Sequence, residues 1–327
     1  MQTCSVVTGG AGFIGSHLVE KLIDLGHRVI VIDDLSSGRM ENLAHIKNEY
    51  LHVIEKSILN IDTIALPCDL DYVFHLAGKA DIVPSITQPE EYYNTNTTGT
   101  FKALQWARAN NAKKFVYAAS SSCYGIPEKY PTPETAQINP QYPYALTKRL
   151  GEELVMHWGQ VYKLPVISLR LFNVYGLRSR TSGAYGAVMG VFLAQIANDK
   201  PVTVIGDGEQ TRDFTHVKDV VDAFIKSAEC KHVNEIFNVG TGEPVSINRL
   251  AQHLGANLIE YIPDRPGEPR CTRADKSKII KMLAWTPLIS IKEGTWHLVQ
   301  NIAQYKNAPV WTSDAIREAT KVWNKLL

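Results

Sequence analysis

Tyr144 and Lys148 stand four residues apart in the run YPYALTK, and Ser120 precedes the tyrosine by 24 residues in YAASSSCYG. On a helix a four-residue spacing puts the phenol and the ammonium on one face, a turn apart. A tyrosine of ordinary pKa, about 10, is a poor base at neutral pH. A nearby ammonium favours the phenolate and brings the group toward use as a general base. A serine beside it can hold a substrate hydroxyl between the two oxygens. The three residues point to proton removal from an alcohol, one half of an oxidation.

The N-terminus offers a seat for the hydride acceptor. Gly9, Gly12 and Gly15 give the spacing GxxGxxG in TGGAGFIG, after one strand and at the start of one helix. Without side chains the backbone turns tightly and approaches a pyrophosphate, which then sits on the helix N-terminus around Phe13 and Ile14. Asp33 closes the next strand, 24 residues past Gly9, where a carboxylate accepts hydrogen bonds from adenosine ribose hydroxyls. A carboxylate there repels a 2′-phosphate. The expected cofactor is NAD(H) rather than NADP(H).

These residues need a scaffold of alternating strands and helices. Strands are expected at 5–8, 29–32, 51–54, 72–75, 114–118 and 166–171, and helices at 13–25, 89–110 and 143–162. The alternation argues for βαβ units, a parallel sheet and helices on both faces. After Arg170 the texture changes. GLRSRTSGAYG reads as a functional loop, and VTVIGDGEQTRDFTHV as two short strands around a Gly-Asp-Gly turn. EIFNVGTG returns to parallel-strand texture. The fold class is α/β, a doubly wound parallel sheet with a smaller C-terminal substrate domain. The expected division is 1–172 for the cofactor, with a return near 214–241, and 173–327 for the substrate.

Composition removes other classes. The chain has 327 residues, 45% hydrophobic and 20% charged, and a net charge of +1, so nothing global suggests nucleic acid or an anionic membrane. No apolar run approaches the roughly 20 residues that cross a bilayer. The sequence reads from its start into a strand, leaving no room for a signal peptide. Five cysteines, far apart and without a CxxC pair, predict neither a disulfide framework nor a zinc site; no metal and a cytoplasmic location are expected.

Over nearly its whole length the chain resembles the extended short-chain dehydrogenase/reductase family, in its nucleotide-sugar epimerase and dehydratase branch with a Rossmann cofactor domain. The motifs that carry this are TGGAGFIG, HLAG, EYYNTNTTGT, SSSCYG, YALTK, LRLFNVYG, GDGEQTRDFTHVKD and RPGE. The resemblance implies Ser120 and Tyr144 as catalytic, with Tyr144 and Lys148 serving both catalysis and the cofactor. It places Asn96, Ser57, Ile58, Leu76 and Ala77 along the cofactor. Ser121, Ser122 and Asn173 would meet the sugar nucleotide, and Arg212, Arg265 and Glu268 would clamp its diphosphate and ribose. A guanidinium fork suits phosphate oxygens. Where relatives often carry Asp, this chain has Ser57; where galactose-type epimerases often carry Lys, it has Ala80, with Lys79 one residue earlier.

The chemistry implied is oxidation at carbon 4 of the sugar to a 4-keto intermediate. A 4-epimerase then returns hydride to the other face; a 4,6-dehydratase removes the carbon 5 proton and expels the 6-hydroxyl; a decarboxylase loses a carboxylate. Dehydratases of this kind commonly carry carboxylic acids at the positions of Ser121 and Ser122. Serines there favour the 4-epimerase, with the dehydratase as alternative through Cys123 or Glu134. An inert NAD-binding protein is disfavoured by retention of Ser120, Tyr144 and Lys148. Apolar residues on more than one face of the helices at 89–110 and 143–162, among them Tyr92, Tyr93, Phe101, Trp106, Leu154 and Trp158, fit a homodimer through paired helices, as family members form.

Overall fold

The structure is a computed structural model and describes residues 2–181, 188–264 and 267–326. Strands β1 (Cys4–Thr8), β2 (Arg28–Asp33), β3 (Leu51–Glu55), β4 (Tyr72–His75), β5 (Lys114–Ser120) and β6 (Val166–Leu171) join strand Glu235–Val239 in one sheet. Every pairing in it is parallel. Buried on both faces, such strands read as unbroken apolar runs, as CSVVT and RVIVID do. Alternate residues feed opposite cores. Val7 and Phe74 point into one, with Leu18 of helix α1 (Phe13–Asp24) and Phe224. Val6 and Val73 point into the other, with Phe115 and Tyr117.

Helix α2 (Ile82–Thr87) follows β4. The expected helix at 89–110 is a composite: α3 (Pro89–Tyr92), a π-helical stretch Tyr93–Thr98, and α4 (Gly99–Ala109). A π segment widens the coil locally and marks functional sites. Helix α5 (Pro143–Tyr162) has the expected bounds, with Pro143 at its first turn where no N–H is needed. The sheet order places β1 between β4 and β2, so the chain reverses direction there and opens a crevice beyond the carboxyl ends of those strands.

A third core, with Tyr175, Met189, Phe192, Leu250 and Tyr305, belongs to the smaller C-terminal lobe. Its strands include the two short ones expected around the Gly-Asp-Gly turn. Val202–Ile205 and Thr211–Arg212 flank the Gly-Asp-Gly turn but do not pair with each other. The first pairs with Ile259–Ile262 and the second with Val245–Ser246. Gly208, at φ +74°, packs where any Cβ would lie 2.1 Å from Asn248 Oδ1, so the turn docks on a later helix instead of closing a hairpin. Cys4 and Cys68, 64 residues apart, are joined by a disulfide that their scattered positions did not signal. Among the described residues no cluster could hold a metal ion, and no helix is long and apolar enough to cross a membrane.

Candidate active site

A cavity of about 590 Å³ lies in the crevice. At one end it is lined by Gly9, Gly12, Phe13, Ile14, Gly15, Asp33, Ile58, Leu76 and Ala77. Two glycines there are obligatory. A Cβ on Gly9 would lie 2.7 Å from Ala77 N, and one on Gly15 would lie 2.1 Å from Gly9 O. The loop is thus pressed against the end of β4, leaving the first N–H groups of α1 facing the groove. Asp33 accepts from Ala11 N and Leu35 N, each at 2.9 Å through a different oxygen. Each oxygen keeps a lone pair that can accept a further hydrogen bond. Burial holds this carboxyl above its usual range, against the pull of the two N–H groups.

At mid-cavity β5 ends in Ser120, and a 3₁₀ turn carries Ser121 and Ser122 into the wall. Ser120 Oγ lies 2.8 Å from Ser122 Oγ, and Ser120 also interacts with the Tyr144 phenol, pulling its pKa down. Tyr144 and Lys148 face the same cavity from α5. The Lys148 ammonium sits 4.3 Å above the Tyr117 ring. Burial pushes the Tyr144 phenol above its ordinary value, opposed by Ser120 and reinforced by Asp81. Burial also pushes Lys148 down to about 7, with Glu152 opposing the fall. Desolvation, then, outweighs the mutual assistance expected of the pair. A cation brought into the cavity beside Tyr144 would reverse the balance for the phenol.

The far end holds Asn173, Arg212 and Glu268. Arg212 donates to Glu268 Oε2 at 3.0 Å and to Pro269 O at 2.8 Å. Asn173 Oδ1 accepts from Thr272 at 3.2 Å. Arg265 lies outside the described residues.

Two expected cofactor residues stand behind the wall. Ser57 caps the 3₁₀ segment Ile58–Thr63 by accepting from Leu59 N, and its neighbours Lys56 and Ile58 face the cavity instead. Asn96, buried in the π stretch, accepts from Lys79 N at 2.8 Å and donates to Lys79 O and Thr147 Oγ1. It ties the β4 loop to α5 one turn from Tyr144. The two residues held in reserve for dehydration also stand outside. Cys123 is buried with its thiol pushed up to about 12, and Glu134 accepts from Asn238 N. Neither lines the cavity. Unforeseen in the wall is an ion pair, Asp81 with Arg180 at 2.9 Å. Arg180 belongs to the Ser- and Arg-rich loop that read as functional; Asp81 carried no motif signal.

Comparison with known proteins decides the family. The NAD-dependent epimerase/dehydratase family matches residues 5–240. The chain belongs to that family. A UDP-glucose 4-epimerase of Mycolicibacterium smegmatis is 36% identical over 299 residues, covering 89% of this chain and 95% of that protein. UDP-glucuronic acid decarboxylase 1 of Arabidopsis thaliana is 36% identical over 307 residues, covering 90% and 69%. The crystal structure of a Bacillus cereus UDP-glucuronic acid 4-epimerase, complexed with UDP-glucuronic acid and NAD, superposes with a TM-score of 0.84 at 31% identity, covering 92% and 99%. As a member of the epimerase/dehydratase family the protein is an NAD-dependent enzyme of nucleotide-sugar chemistry, and the glycine cradle with Asp33 fits that cofactor.

Proposed function

We propose that the protein is an NAD-dependent nucleotide-sugar 4-epimerase of the UDP-hexose or UDP-N-acetylhexosamine type. The observation that carries this reading is the wall beside Tyr144, made of the hydroxyls of Ser120, Ser121 and Ser122, while Cys123 and Glu134 stand outside the cavity. Tyr144 takes the proton of the sugar's carbon 4 hydroxyl, and Ser120 orients that hydroxyl. Bound NAD+ supplies hydride acceptance at carbon 4 and its return. Lys148 holds positive charge near the phenolate. The serines hydrogen-bond a keto sugar that must present its other face. Expulsion of the 6-hydroxyl would require a free acid and base. The carboxylate at the catalytic end, Asp81, is engaged with Arg180.

Turnover in deuterated water tests the choice. A 4-epimerase never breaks the carbon 5–hydrogen bond, so NMR should show product without carbon-bound deuterium and with its 6-hydroxyl. Deuterium at carbon 5 in a 6-deoxy-4-keto product overturns the reading in favour of the dehydratase.

The two ends of the cavity divide the ligands: the Gly9–Gly15 loop, Asp33, Ile58, Leu76 and Ala77 toward NAD, with Asn96 and Ser57 acting from behind. Asn173, Arg212 and Glu268 serve the nucleotide sugar. The same division assigns 1–172, with the return at 214–241, to the cofactor and the remainder to substrate. Asp33→Ala should weaken NAD+ by on the order of 1–2 kcal/mol and leave UDP-sugar affinity unchanged. Arg212→Ala should do the reverse. Calorimetry in which either variant weakens both ligands equally refutes the division.

Tyr93, Phe101, Val161 and Tyr162 are exposed on the helices flanking the sheet, while Tyr92, Trp106 and Trp158 are buried within the chain. Exposed apolar and aromatic residues on neighbouring helices support a two-fold homodimer. Sedimentation should give twice the 36.4 kDa chain mass, and Phe101→Asp should give the monomer. A cytoplasmic setting completes the proposal; the free thiols at Cys123, Cys230 and Cys271 support it and the Cys4–Cys68 disulfide counts against it.

A further inference from the structure

The helix Ser313–Leu326 is amphipathic and buries only one face, through Ile316, Thr320 and Trp323 at successive turns. That face meets the active site. Ile316 lines the cavity and is 3% exposed. Trp323, fully buried, lies 6.0 Å from the Tyr142 ring, which stacks at 6.4 Å and 8° on the Tyr144 ring. The helix also packs on α2, whose leading residues Asp81 and Ile82 line the same wall.

The segment before it starts from the other lobe. Gln195, buried, donates to Trp311 O at 2.7 Å, and Lys306 donates to Ala197 O at 2.9 Å. Both anchors lie on the helix Val188–Ala197, which lines the cavity through Val188, Met189, Val191 and Phe192. The chain therefore leaves the helix Val188–Ala197 at Trp311 and docks at Ile316 beside α2, joining two elements that contribute to the cavity wall.

We propose that this terminal segment is a strap closing the sugar end of the cavity, with Ile316 a specificity-determining residue and Trp323 a positioning residue for Tyr144. An apolar wall discriminates by volume: it admits a substituent that fits and excludes one that is larger. The Trp323–Tyr142–Tyr144 series of rings fixes the plane in which the phenol meets a sugar hydroxyl. No bond of Trp323 to the reacting atoms is required, so its effect is on turnover rather than on nucleotide affinity.

The proposal rests on the nucleotide-sugar reading, and the test separates the two. Full-length Ile316→Ala, Ile316→Trp, Trp323→Ala and Trp323→Phe are compared with the wild type. Calorimetry measures UDP and UDP-N-acetylglucosamine binding, and kinetics measures kcat and KM. Ile316→Trp should weaken the UDP-sugar about tenfold or more while UDP binding stays within about twofold. Trp323→Ala should lower kcat about tenfold with KM within about threefold, and Trp323→Phe should restore most of it. Parallel changes for UDP and UDP-sugar in Ile316→Trp, no change in either for that variant, or equal losses of kcat in both Trp323 variants overturn the strap. If the wild type does not interconvert 4-epimers, the functional reading fails, and the UDP versus UDP-sugar contrast still decides the strap.

Discussion

Tyr144→Phe is expected to lower turnover at least several hundredfold, about 3–4 kcal/mol of barrier, while NAD+ binding stays as in the wild type. The substitution removes one oxygen and little else. The ring keeps its stack on Tyr142, and Ser120 keeps its bond to Ser122. What is lost is the phenol whose pKa Ser120, at the end of β5, pulls down. Burial holds that phenol protonated in the free protein, so the proton must leave when cofactor charge and a sugar hydroxyl arrive together. Stopped-flow absorbance of NADH on mixing with UDP-sugar reads the oxidation step directly. A Phe variant within tenfold of wild type would remove Tyr144 from the chemistry and leave Lys148 or Ser122 as the base to be tested.

Much of this site is legible because its geometry is local. Tyr144 and Lys148 share a helix whose bounds follow from Pro143 at the first turn and an apolar face behind it. Gly9, Gly12 and Gly15 turn between a strand and a helix adjacent in sequence, and Asp33 ends the neighbouring strand. Illegible features depend on partners far along the chain. Asn96 works by joining Lys79 to Thr147, contacts across 17 and 51 residues. Asp81 finds Arg180, and Tyr142 finds Trp323, only once both lobes are folded. Ser57 illustrates the converse: a short polar residue before a helical turn caps it, and that local use takes the hydroxyl away from the groove. The two strands around the Gly-Asp-Gly turn were a correct local signal, but their partners were not legible, because strands of two to four residues pair wherever the lobe brings them.

Lys148 should cost the cofactor-free protein stability, and its removal should reveal the cost. Its ammonium has an ordinary pKa of 10.5 and titrates near 7 in the fold, because burial penalises the charge. Between those values the unfolded chain holds more protons than the native one, so wild-type stability rises with pH across that window. Below pH 7 the penalty is complete. Lys148→Met fills a similar volume without charge, and Glu152 keeps its partner, since Arg170 donates to it at 2.7 Å. The variant should therefore be more stable than wild type by on the order of 3 kcal/mol at pH 6, the advantage shrinking toward zero by about pH 10.5. The cation–π contact with Tyr117 is lost and offsets a part of this. Turnover should fall by two orders of magnitude or more in the same variant. Urea denaturation of both proteins at pH 6 and pH 9.5 measures the difference. A gap that is constant with pH, or a Met variant weaker at pH 6, would mean that Lys148 enters the native state without a desolvation cost and that its charge is already matched before any ligand binds.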